Sequence, residues 1–263
     1  MDSKPKIIAF TQLRNELEKG NLENWFRQLE VCDYIYVYDQ NSTDGSLEYY
    51  KKFDNLTVIE SSENRFTDEI LCKQELLDRL LTDHPDVDWI LWVDGDTLID
   101  GRLLDNDGEE LVRLCNHGTK INVDGFLFEH YNLWRSDTHY RVDDQYHGLS
   151  GNLLALWRNN GKLKYNTHSG LHGAQYPTGL DKLLPVPFGF IHRGFATDYQ
   201  IVTKYDVYKA RGQNGWALNR LLNENGLRTQ KIPLEYLPKW FELTDDTDPI
   251  NKEKIINIYN KQK

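Results

Sequence analysis

Three short stretches carry the side chains with chemical reach. The first is Asp94-Gly95-Asp96, directly after the apolar run Trp89-Ile90-Leu91-Trp92-Val93. Two carboxylates separated by one small residue can face a single cation from a tight turn. Mg2+ or Mn2+ commonly takes one or two protein carboxylates and leaves its other positions to water and phosphate. The second is Asp39-Gln40-Asn41-Ser42-Thr43-Asp44-Gly45-Ser46, after Tyr34-Ile35-Tyr36-Val37-Tyr38. A carboxylate there can accept hydrogen bonds from a base or a ribose, and Ser42 or Asp44 can cap a following helix. The third is Gln12-Leu13-Arg14-Asn15-Glu16. Each stretch also has a bland reading: a turn with solvated carboxylates, a plain connection and a polar loop. Position favours the functional reading of Asp94 and Asp96, because loops at strand ends in α/β sheets are where rigid scaffolds present ligand groups.

The elements that must hold these stretches are legible from periodicity. Residues 6–11 (KIIAFT) read as a short buried strand. Leu22, Trp25, Phe26 and Leu29 recur at helical spacing and predict an amphipathic helix over 21–30. Residues 34–38 are aromatic and β-branched, hence a strand, and 56–59 form another, with a helix over 46–53 between them. A longer helix over 68–81 places Ile70, Leu71, Leu76, Leu77, Leu80 and Leu81 on its apolar side and ends before Pro85. The continuous apolar run 89–93 fits a central strand buried on both faces. This βαβαβαβ rhythm predicts an α/β fold: a three-layer α/β/α sandwich, a mostly parallel central sheet and a Rossmann-like N-terminal half.

After residue 100 the rhythm changes. Residues 123–130, 153–157 and 186–192 read as strands separated by long loops rich in Asp, His and Gly, and 198–211 and 216–223 read as helices. Asp248-Pro249 opens a capped C-terminal helix over 248–263. With no internal repeat and no clear linker, residues 1–263 are expected to form one domain.

Bulk properties remove several classes of partner. The net charge is -10 and no basic run breaks it, which disfavours a nucleic-acid partner. Cys32, Cys72 and Cys115 are odd in number and lack CxxC spacing, so buried thiols in a reducing compartment are expected rather than a zinc knuckle. The start MDSKPKIIAF has too few apolar residues for a signal peptide, and no run of about 18 apolar residues occurs. The expectation is a cytoplasmic protein without a transmembrane segment, peripheral membrane contact being left open.

FTQLRNE, YDQNSTDGS and WVDGDT, in this order and at these spacings, resemble the family 2-like glycosyltransferases with the GT-A fold. The match covers roughly the first 100 residues. Ile191-His192-Arg193-Gly194, followed by a helix with Lys204 and Tyr205, is similar to a late histidine segment of related enzymes, whereas 101–185 match only loosely. The resemblance implies transfer of a sugar from a nucleotide-diphosphate donor (UDP-, GDP- or dTDP-linked) to a hydroxyl of a glycan or other acceptor. It implies Mn2+ or Mg2+ as cofactor, and inversion at the anomeric carbon. It divides the chain into a nucleotide-sugar half (1–100), an acceptor half (101–247) and the C-terminal helix. Carried over by position, it implies that Asp39 contacts the nucleobase and that Gln12 and Arg14 line the nucleotide pocket. Lys73 then approaches the donor, Asp94 lies beside the ribose or a metal-bound water, Asp96 ligates the cation, and His192 is the late metal ligand.

The chain departs from the pattern where an acceptor-side acidic motif is usual. Inverting transfer needs a general base for the acceptor hydroxyl, and Asp143 and Asp144 are the nearest candidates, against a plain reading as a polar surface loop. Six of the eight histidines fall between residues 130 and 192 and suggest a site wall. His168 and His172 share a glycine-bearing segment, which argues against a helical zinc pair. Two other readings stay open. WVDGDTLI also fits the DxDxT signature of haloacid-dehalogenase-like phosphatases, with Asp94 as nucleophile, Asp96 as acid/base and Thr97 on the phosphate. That signature normally follows the first strand of its domain, whereas three predicted strands come first here. A non-catalytic nucleotide-sugar or glycan-binding protein is the other.

Overall fold

Alternation sorts the side chains of the first strands between two faces. In the computed structural model, residues 4–65, 68–165, 176–210, 212, 215–223 and 225–244 are described. His168, His172 and the expected helix 248–263 lie outside them. Strands β1 (Ile7–Leu13), β2 (Tyr34–Asp39), β3 (Leu56–Glu60) and β4 (Trp89–Trp92) alternate with helices α1 (Leu22–Leu29), α2 (Ser46–Tyr50) and α3 (Glu69–Asp83). Ile7, Ala9, Ile35, Val37, Trp89 and Leu91 face α1, α2 and a later helix, α4 (Gly101–Lys120). Ile8, Phe10, Tyr36, Tyr38, Ile90 and Trp92 face α3. The sheet is therefore covered on both sides, the three-layer α/β sandwich expected, and all four residues of β4 are buried.

The chain continues through β5 (Thr97–Ile99), β6 (Gly125–Asn132), β7 (His139–Asp143), β8 (Tyr146–His147), β9 (Leu149–Arg158), β10 (Leu183–His192), α5 (Asp198–Ala210), α6 (Trp216–Leu222) and β11 (Thr229–Lys231). The large sheet has the order β3-β2-β1-β4-β9-β6-β10-β5, and β11-β7-β8 form a small one. The pairs β3–β2, β2–β1, β1–β4 and β6–β10 are parallel. β9 runs antiparallel to both β4 and β6, so six of the eight strands share one direction, and β5 closes the edge against β10. The sheet is mostly parallel, as the sequence rhythm predicts.

Helix α4 is absent from the sequence reading. It is broken at 105–108, where Asn106, Asp107 and Gly108 take left-handed φ of 51°, 57° and 78°. The break interrupts the 3.6-residue repeat that would have announced one helix.

Helix α1 fixes the backbone on both sides of Asp94-Gly95-Asp96. It buries Leu22, Trp25, Phe26 and Leu29, each such side chain contributing roughly 1.5–3 kcal/mol. The Trp25 indole donates to Val93 O at 3.0 Å. Gln28, 1% exposed, donates to Thr97 O and accepts from Ile99 N–H, both at 2.8 Å. Buried backbone groups left without partners cost about 1–3 kcal/mol each. Gln28→Leu is therefore expected to lower the unfolding free energy by roughly 2–4 kcal/mol in urea denaturation; an unchanged midpoint contradicts this bracing role.

Candidate functional site

The carboxyl ends of β1, β2, β4, β6 and β10 open on one side of the sheet, the position where α/β sheets take their ligands. A cavity of about 1300 Å³ lies there. Its wall includes Gln12 near the end of β1 and Arg14 just after it, Gln40 after β2, Asp94 and Asp96 after β4, His130 and Asn132 on β6, and His192 at the end of β10. Lys73 of α3 reaches the same wall.

Register brings the late histidine to the acidic turn. In the antiparallel β5–β10 pair His192 stands opposite Thr97, one residue from Asp96, and Arg193 N–H donates to Asp96 O at 2.7 Å. His192 Nε2 lies 3.3 Å from Asp96 Oδ2. Its Nδ1 meets Asn132 Oδ1 at 2.9 Å, while Asn132 Nδ2 faces Gly148 O, which fixes the orientation of that amide. Lys204 of α5 places Nζ 3.5 Å from Asp96 Oδ2 and 3.3 Å from His192 Nε2. Glycine is required at two points. A Cβ on Gly95 would stand 2.8 Å from Leu13 Cδ2 and 2.9 Å from Glu16 Cγ, and one on Gly194 would collide with the Lys204 ammonium and the His192 ring.

The two carboxylates sit in unlike fields. Burial and then the Asp96 charge push Asp94 up from the usual carboxylate range. Its Oδ1 accepts from the Trp92 indole at 2.9 Å, and Lys73 Nζ lies over that indole at 4.6 Å. Lys73, 1% exposed at its side chain, is held by Glu69 at 2.5 Å. Burial also pulls Asp96 upward, but the charges of His192 and Lys204 and the His192 hydrogen bond outweigh it and hold Asp96 well below its ordinary range. Burial, with Asp96 adding to it, raises Glu16 behind the turn.

The loops around 15 and 42 brace each other. Ser42 Oγ accepts from Asn15 N–H at 3.0 Å, Asn15 Oδ1 from Thr43 N–H at 2.9 Å, and Asp44 from Glu18 N–H at 2.9 Å and Ser46 N–H at 3.0 Å. Asp39 belongs to this bracing. It is 1% exposed, accepts from Ser42 N–H and the Tyr50 hydroxyl, and is not on the cavity wall. Its neighbour Gln40 is. Gln12 donates to Glu69 O at 2.6 Å, so its carbonyl oxygen is what accepts from Gln40 Nε2 at 3.3 Å, and Gln40 Oε1 is left buried without a partner.

Asp143 and Asp144 do not reach the cavity wall. They form the β7–β8 hairpin, Asp143 paired at 2.5 Å with the fully buried Arg141 and Asp144 fully in solvent beside Arg228. The segment that does reach the wall went unnoticed in the sequence. Asp137, 2% exposed, holds the Arg193 guanidinium at 2.9 Å with one oxygen and Thr244 N–H and hydroxyl at 2.9 and 2.5 Å with the other. This clamp lays Phe241, Glu242 and Thr244 along the cavity. No spacing signal links residues 107 positions apart, so the sequence could not announce it.

Among the described residues, no three His, Cys, Asp or Glu side chains gather into a metal cage. A Mg2+ or Mn2+ site of one or two protein ligands completed by phosphate and water needs none. The Asp96–His192 edge, already facing a cation, has the donor chemistry for such an open site. The three cysteines are free and buried. No helix among the described residues is long and apolar enough to cross a membrane.

No family model matches the chain, and no curated protein matches it in sequence. Among solved structures, a mannosyltransferase from Pyrobaculum calidifontis in complex with GDP-Man and Mn2+ is similar at 16% identity over 84% of this chain and 70% of that one, with a TM-score of 0.40. A 4-diphosphocytidyl-2C-methyl-D-erythritol synthase from Anaerococcus prevotii is similar at 14% identity over 99% and 97%, with a TM-score of 0.29. A UDP-glucose pyrophosphorylase complexed with UDP-glucose follows at 10% identity over 59% and 75%, with a TM-score of 0.30. At scores of this size the likenesses assign nothing to this chain.

One pH dependence follows from the site's burial. Burial and then the charge of His192 depress His130 from 6.5 to about 3. Below 6.5 the unfolded chain takes up a proton that the folded state refuses, so stability is lost as pH falls from 6.5 toward 3. His130→Leu should lose less stability than the parent between about pH 7 and about pH 4.5 in urea melts; parallel losses contradict a neutral buried imidazole.

Proposed function

We propose that this chain is a metal-dependent glycosyltransferase that moves a sugar from a nucleoside-diphosphate donor to an acceptor hydroxyl, with inversion. One observation carries the reading. The acidic turn and His192 share a single cavity wall with Gln12, Arg14 and Lys73. A divalent cation, when bound, supplies charge neutralisation for the departing diphosphate. Asp96 and His192 are its protein ligands in this reading, with Asp94 beside them.

The chain's own residues do the rest. Arg14 and Lys73 bring positive charge to the side of the cavity where the nucleotide lies. The paired Gln12 and Gln40 amides bring hydrogen-bonding side chains to the same wall for the base, while Asp39 shapes the loop that carries Gln40. We assign the general base to Glu242 rather than to Asp143 or Asp144. It lies on the cavity wall with no hydrogen bond or ion pair among the described residues, whereas Asp143 is committed to Arg141 and Asp144 points into solvent. The phosphatase reading asks Thr97 to contact phosphate, and Thr97 is 5% exposed and off the cavity wall.

A thermal-shift panel of UDP-, GDP- and dTDP-sugars, with and without Mn2+, tests this. A ligand at 100 times its Kd stabilises by about 2.7 kcal/mol. One donor should raise Tm only with metal, and Asp96→Ala should abolish that rise. In transfer assays Glu242→Gln should cut kcat by about 10²–10⁴ and Asp144→Asn should leave it unchanged. Phosphate-ester hydrolysis without any nucleotide-sugar response overturns the reading.

A further inference from the structure

One contact in the site puts a lysine where the reading above puts a metal. Lys204 Nζ lies against both Asp96 Oδ2 and His192 Nε2, and rests over the Phe195 ring at 4.4 Å. The position is built. Gly194 has no side chain where the ammonium sits, and the ammonium is 1.9 Å from where a Cβ would be. Lys204 is 26% exposed at its side chain.

The chemistry of the two partners explains why a cation belongs there. Asn132 faces His192 Nδ1, which turns Nε2 toward Asp96 and Lys204. Nε2 and the Asp96 carboxylate oxygen stand 3.3 Å apart. A carboxylate partly withdrawn from water draws positive charge to this edge, and the Lys204 ammonium lies against it. A divalent ion on the same edge answers the same need, and two cations cannot hold one seat.

We propose that Lys204 is a displaceable internal cation. It fills the Asp96–His192 seat in the free protein, yields it to the divalent ion, and then presents its ammonium to the donor's diphosphate from the α5 wall of the cavity. This rests on the reading of Asp96 and His192 as cation ligands under Proposed function. It goes further in assigning Lys204 two successive partners, a carboxylate–imidazole pair and then a phosphate. Lys204, Thr203 and Tyr199 line the cavity from α5, so the displaced ammonium stays within it.

The test is Mn2+ binding to the full chain without nucleotide, followed by the electron paramagnetic resonance signal of free Mn2+. Lys204→Met removes the competitor and should tighten Mn2+ by about tenfold or more, because a charged hydrogen-bonded contact no longer has to be broken. Lys204→Gln serves the same purpose should the Met variant fail to fold. Lys204→Arg keeps the charge and should stay near the parent affinity. With Mn2+ saturating, the Met variant should bind UDP or GDP more weakly than the parent. Equal or weaker Mn2+ binding by Lys204→Met, or equal tightening by Lys204→Arg, overturns the proposal. Asp96→Asn separates the two claims. Mn2+ binding lost in Asp96→Asn but unchanged in Lys204→Met sinks the lysine alone. Mn2+ binding unaffected by Asp96→Asn, or absent from the parent, sinks the metal reading and the lysine with it.

Discussion

A carboxylate withdrawn from water has to be met by positive charge, and Asp96 is met by two groups that arrive from distant parts of the chain. His192 ends β10 and Lys204 lies on α5, yet both stand within 3.5 Å of the same oxygen. Moving either would leave a charge uncompensated in a partly buried wall, which costs more than an ordinary hydrogen bond. The β5–β10 register and the return of α5 over the cavity bring both groups to that oxygen.

The near half is held by neutral hydrogen bonds. Trp25 and Gln28 grip the backbone before and after the acidic turn, and Trp92 steadies Asp94 while Lys73 packs on its ring. A site that holds two like charges close together tends to spring apart, and bracing from rigid elements opposes this. The same bracing involves Asn15, Ser42 and Asp44, whose side chains accept from the backbone N–H groups of Thr43, Asn15 and Glu18 respectively.

Much of the scaffold was legible because apolar runs and helical spacing are local signals. KIIAFT, YIYVY and WILWV became β1, β2 and β4, and the Leu22–Leu29 stripe became α1 with its apolar face buried. The acidic turn was legible too, since its place after a fully buried strand could be read directly. Three things were not. Helix α4 is hidden by the left-handed residues at 106–108. Asp39 faces inward and Gln40 reaches the cavity wall, because the strand ends one residue later than its aromatic pattern. Asp143 and Asp144, read as base candidates or as a polar surface loop, lie off the cavity: Arg141 holds the first and the hairpin turns the second outward. Contacts such as Asp137 with Arg193 and Thr244 join distant residues through tertiary packing, and a single sequence carries no local trace of them.

The most direct measurement is the position of Mn2+ by anomalous scattering in crystals grown with UDP or GDP. The account predicts one peak bonded to Asp96 and His192, with the diphosphate on the same ion and the base toward Gln12 and Gln40. A peak away from Asp96, or a nucleotide bound outside the cavity that Asp94 and Arg14 share, would contradict it.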